Sequence, residues 1–194
     1  MRKKLESRRR KALRRCVTAL ALLGLLALSG QYTLTPARSL RELEDRLGAG
    51  RMEVLWQEPE WPTGRSDDYR ARCTQLAGNE NAVTLVTHGL RPLQGGWRSI
   101  PWDSMVIDCS GGDGLYAGWD GTHLFGQVKL PEAVSLTVEG PGNRSAVLPE
   151  NTWFTADGCR FFLLTVPREQ SGGPITVTVC GSGGEVLASR RVVW

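Results

Sequence analysis

Three kinds of hydrophobic patterning follow one another along the chain. An unbroken apolar run covers residues 17–28, with Thr18 its one polar member. Leu40, Leu43 and Leu47 then recur at helical spacing, which predicts an amphipathic helix with one apolar stripe. From Val134 onward the period changes to two. Val134, Leu136 and Val138 alternate with polar residues, as do Ile175, Val177 and Val179, the pattern of strands with one wet face.

The amphipathic helix has both ends marked. Thr35 is placed to cap it, Pro36 fits its first turn, and Gly48 ends the run. Further strands are predicted over 52–56, 82–87, 105–109, 115–119 and 124–130, then over 146–148, 152–155, 160–166 and 185–193. Residues 69–76 fit a helix face and strand alternation equally, and 57–68 read as a polar loop rich in Pro and Gly. Pro-Gly at 141–142, Asp-Gly at 157–158 and Gly-Gly at 172–173 and 183–184 separate the later strands. The expected fold is mainly β: an N-terminal membrane helix, one amphipathic helix, and an antiparallel β-sheet region ending in a β-sandwich. A soft boundary near residues 126–130 divides the body into an α+β region, 35–126, and a β-sandwich module, 127–194.

Charge sharpens the reading of the N-terminus. Nine of the first fifteen residues are Lys or Arg, whereas residues 16–34 carry no charge. The chain has 24 basic and 20 acidic residues; without residues 1–15 the balance is 15 against 19, so the basic pI belongs to the tail. A basic block abutting an apolar segment predicts a cytoplasmic tail, 1–15, and a membrane anchor, 16–34, with Tyr32 as an interfacial ring. The body is then extracytoplasmic. The alternative is a signal peptide cut after Ser29, where Ala27-Leu28-Ser29 matches the small-x-small pattern, giving a secreted body. Attraction to anionic headgroups accounts for the cations, so a nucleic-acid partner is not expected. Cys16 precedes the apolar run and so cannot be the modified cysteine of a lipoprotein.

Phe125-Gly126-Gln127-Val128 with Pro131, Thr152-Trp153-Phe154 and Gly184-Glu185-Val186-Leu187 carry a resemblance. Residues 124–194 resemble the tail of small membrane-anchored extracytoplasmic bacterial proteins that end in an immunoglobulin-like or fibronectin-like β module. The resemblance implies an Ig-like fold and an envelope address, and brings no catalytic residues with it.

Cys73, Cys109, Cys159 and Cys180 lie in the body, and an even number in an oxidising compartment permits two disulfides. A symmetric hairpin between 160–166 and 175–180 would set Cys159 nearly opposite Cys180, leaving Cys73 and Cys109 as the second pair. Four buried free thiols are the alternative. No C-x₂₋₄-C spacing suggests zinc.

Catalytic patterns are missing. His88 and His123 fall at strand ends near Asp103, Asp108, Asp113 and Asp120, but without the spacing of a histidine metal motif. Ser110-Gly111-Gly112 lacks the order of a hydrolase nucleophile loop. Glu58 and Glu60 could pair as glycosidase carboxylates, yet they sit in a Pro-rich loop. The unusual feature is seven tryptophans. Trp56, Trp119 and Trp153 lie beside apolar strands and are expected in the core. Trp61, Trp97 and Trp102 occur in apparent loops, and with Arg98 they are the candidate binding residues, suited to a sugar ring or a protein partner. The expected protein is therefore a membrane-tethered, non-catalytic module binding an envelope protein or glycan, with no cofactor. An envelope hydrolase using scattered Asp, Glu and His, or a membrane-anchored signalling protein, is the alternative.

Overall fold

The computed structural model describes residues 2–29, 32–58, 61–62, 68–111, 114–140, 144–149, 152–165 and 173–193. Among these the chain is mainly β, with two helices and thirteen strands arranged in three antiparallel sheets. Helix α1 (Arg2–Leu28) carries the basic block and the apolar run. Helix α2 (Pro36–Leu47) forms as its sequence dictates. The Thr35 hydroxyl accepts the Arg38 N–H, Pro36 occupies the first turn, and Gly48 closes the helix in the left-handed region at φ +65°.

The first sheet contains β1 (Glu53–Gln57), β2 (Trp61–Pro62), β3 (Ala71–Gly78), β4 (Ala82–Arg91) and β5 (Gly96–Asp108). β3, β4 and β5 form a meander, and β1 and β2 pair with successive parts of β3 along its other edge. The second sheet has the order β10 (Phe154–Ala156), β11 (Cys159–Thr165), β7 (His123–Val128), β6 (Leu115–Trp119). The third runs β13 (Val186–Val192), β12 (Ile175–Cys180), β8 (Ser135–Gly140), β9 (Arg144–Pro149).

Alternation along the strands assigns three apolar layers. Leu40 and Leu43 of α2 pack with Ala77, Ala82 and Val86 of the first sheet. The opposite side of that sheet offers Leu76, Val83 and Leu85 to Tyr116, Phe125 and Phe161 of the second. The other side of the second sheet, with Leu115, Trp119, Leu124 and Phe162, packs with Leu136, Val177 and Val179 of the third. The second sheet is thus buried on both sides, which is why 115–119 and 124–128 read as nearly continuous apolar runs. Trp119 and Trp153 fill the last layer and Trp56 borders the middle one, as their apolar neighbours suggested.

Gly126 and Gln127, on either side of the expected division, both lie within β7 and pair with β11. Other expectations are corrected. No hairpin joins β11 to β12: β11 lies between β10 and β7, and β12 between β8 and β13. The register that opposed Cys159 to Cys180 therefore does not exist. Cys73 lies opposite His88, while Cys109 donates its N–H to Asn81 at the other end of β4. That separation is roughly 23 Å at the usual strand rise, far beyond disulfide reach. All five cysteines are free thiols.

The uncharged helical stretch is also shorter than the expected anchor, residues 16–34. Thr33 is fully buried, bridging in parallel to Gly96; its N–H reaches Gly95 O and its carbonyl accepts the Trp97 N–H, both at 2.9 Å. Its hydroxyl donates to Glu42 Oε1 at 2.6 Å. Tyr32 and Thr33 thus belong to the folded body, and the uncharged helix available to lipid ends near Ser29. Residues 16–29 reach about 21 Å at the helical rise, against ~30 Å of hydrocarbon. Among the described residues no helix is long and apolar enough to cross a membrane.

Candidate binding cleft

Along the side of the first sheet that faces the second, side chains change character in steps. Leu76 and Leu85 are opposite partners beneath the second sheet; the next pair is Thr74 and Thr87, and the next Arg72 and Gly89. Apolar residues stop where the cover stops. The two threonine hydroxyls are 3.1 Å apart and floor an open cleft of about 330 Å³.

One wall comes from an irregularity in β5. Ser99 pairs with His88 and Ser104 with Val86, so Ile100, Pro101, Trp102 and Asp103 all stand opposite Thr87 alone. A bulge of this kind re-aims side chains, and Pro101, with no N–H to donate, suits an unpaired segment. The Ser104 hydroxyl donates to Ile100 O at 2.7 Å and closes it. Trp102 is thereby thrown outward, 74% exposed on the cleft rim. Asp103 is held by Arg72 Nη1 at 3.2 Å.

The remaining walls are Glu58, just beyond β1, and the β6–β7 turn with Asp120, Thr122 and His123. Asp120 Oδ1 accepts the Thr122 and His123 N–H groups at 2.8 and 2.6 Å, and Oδ2 lies 3.2 Å from His123 Nδ1. Burial pushes the Asp120 carboxyl upward, but these hydrogen bonds outweigh it and hold the group below its ordinary value. The His123 ring leans on Trp56, with centroids 6.2 Å apart. The cleft thus combines an exposed indole, three carboxylates and a floor of hydroxyls.

Beyond the threonine floor, the next pair along the sheet, Arg72 and Gly89, lies beside Tyr69. The Tyr69 ring lies over Gly89, so closely that a Cβ there would sit 2.2 Å from Tyr69 Cδ1. The guanidinium carbons of Arg91 and Arg72 stand 4.4 and 5.3 Å from the ring centroid.

The expected binding residues are divided by this geometry. Trp102 is on the cleft. Trp97 is only 5% exposed, opposite Leu90, so it is no ligand platform. Arg98 is ion-paired with Glu42 of α2. Trp61 pairs through its backbone with Arg72, the residue that holds Asp103. The histidines are separated as well. His88 is fully buried on the helix side of the sheet, with Nδ1 3.0 Å from Ser39 Oγ and Nε2 3.0 Å from Gln75 Oε1. Gln75 Oε1 can only accept, so Nε2 carries the proton and the Ser39 hydroxyl donates to Nδ1. Asp108 accepts the Ser110 N–H in a local turn, while Glu60, Gly112 and Asp113 lie outside the described residues. Among the described residues no three His, Cys, Asp or Glu side chains are grouped to hold a metal ion.

The exposed tryptophan was visible in the sequence; Glu58, Asp120 and His123 stood out there only for other pairings, and nothing local signals that they meet Trp102. No protein-family model and no curated protein matches the chain.

Proposed function

We propose that the protein is a non-catalytic glycan-binding module tethered to a membrane, with its β body on the extracytoplasmic side. The observation that carries the binding assignment is the indole of Trp102 on the rim of a cleft lined by Glu58, Asp103, Asp120 and the Thr74 and Thr87 hydroxyls. A flat exposed ring offers a sugar an apolar face to stack on, and carboxylates and hydroxyls accept its O–H groups. Three carboxylates favour neutral or amino sugars over uronic acids.

The tether rests on α1. Val17, Leu20, Leu22, Leu23, Leu25 and Leu28 are all exposed, directly after the basic block. Apolar residues on all sides of a helix call for a lipid or protein cover, and the preceding cations suit anionic headgroups. An Ig-like module at the C-terminus is the finer fold reading consistent with the alternating strands of the third sheet. Export with cleavage near Ser29 is the alternative route to the same address.

The test is a binding series on the full chain with oligosaccharides of glucosamine, glucose and galacturonic acid. Saturable binding of the first two, weakened about thirtyfold by Trp102→Ala, supports the assignment. Equal binding by wild type and variant would remove it. The competing reading, a hydrolase, draws on the same Glu58, Asp103 and Asp120. Release of new reducing ends in this assay would select it, although an Asp120 held ionised is a poor proton donor.

A further inference from the structure

The β4–β5 hairpin tip is fixed beside the end of the apolar helix. The Tyr32 N–H donates to Leu26 O at 3.0 Å, tying the chain to the last turn of α1. The Tyr32 hydroxyl donates to Pro92 O at 3.2 Å, tying the same residue to the tip. Thr33 then docks on Gly95 and Trp97 from either side of Gly96. Gly96 has φ +82°, and a Cβ there would sit 2.2 Å from Thr33 O, so only glycine lets the two segments meet. Leu93, next to Pro92, is 99% exposed. A single exposed leucine on a surface needs no explanation. This one is held one tyrosine length from Leu26, on a helix whose Leu25 and Leu28 are uncovered as well.

We infer that the hairpin tip is a second membrane contact: Leu93 inserts at the lipid interface beside α1 and fixes the orientation of the body on the bilayer. This rests on the tether proposed above. The occupant is lipid because the tip continues the apolar surface of α1, which follows a block of nine Lys and Arg residues that matches an anionic surface. A helix of this length without a linker leaves the body close to the headgroups, and a second contact is what stops it from swivelling.

The experiment places an environment-sensitive fluorescent amino acid at position 93, or at exposed Val147 on β9 as control, in the full chain. Each protein is mixed with vesicles of zwitterionic and anionic lipid whose acyl chains are brominated near the headgroup. Blue-shifted, quenched emission at 93 with unchanged emission at 147 supports the inference, as does about tenfold weaker vesicle partition for Leu93→Glu. Sedimentation with vesicles while position 93 stays in water overturns the inference and leaves the tether standing. Failure to sediment at all overturns both.

Discussion

The His88 ring, wholly buried, accepts a hydrogen bond from Ser39 at 3.0 Å and so pins α2 to the first sheet. Burial holds its pKa down at about 4 against an ordinary 6.5. In the folded protein the ring is neutral; in the unfolded chain it takes a proton below 6.5. Between those values the unfolded state binds more protons, so stability is fully present above pH 6.5 and falls as pH drops toward 4. The loss approaches about 3 kcal/mol. Urea midpoints measured from pH 7.5 to 4.5 should fall more steeply in wild type than in His88→Gln, which keeps a polar side chain without the titration.

Gly89 is required by Tyr69. An alanine methyl would overlap the ring and displace it from Arg91 and Arg72, disturbing the Arg72–Asp103 pair that holds one cleft wall. Gly89→Ala should lower stability by about 1–3 kcal/mol in denaturant titrations and weaken ligand binding as well. An unchanged midpoint would show that the ring yields freely.

The thiols should behave as free groups of unequal reach. Cys16 is exposed, whereas Cys73 and Cys109 are completely buried, and burial raises the Cys109 thiol to about 12. Maleimide should modify Cys16 in the native protein at pH 7 and reach Cys73 and Cys109 only after denaturation. Intact mass without reductant should equal the fully reduced mass; a deficit of two hydrogens would indicate a bridge that this packing does not contain.

The amphipathic helix was legible to the residue, because Thr35, Pro36, the leucine spacing and Gly48 act locally. So was β12, whose alternation runs undisturbed. The cleft was not. The bulge at residues 100–103 breaks the two-residue period of β5, so Trp97 and Trp102 looked like loop residues when both belong to one long strand. Gly95 and Gly96 lie at the β4–β5 turn and are also the surface on which Thr33 docks, a long-range role with no local signal. The cysteine pairing failed for a related reason. It assumed that consecutive strands are neighbours, while β11 and β12 enter different sheets. Sequence patterns report what a residue does within its own element; which elements meet is decided by burial, and β7 finds β11 more than thirty residues away.

The cleft assignment is tested most directly by following the tryptophan indole N–H resonances of the full chain in detergent micelles while glucosamine oligosaccharide is added. The Trp102 signal, identified by its loss in Trp102→Phe, should move saturably together with the backbone amides of Thr87 and His123, while buried Trp97 and Trp119 stay fixed. Saturable shifts centred elsewhere, with Trp102 unmoved, would contradict it.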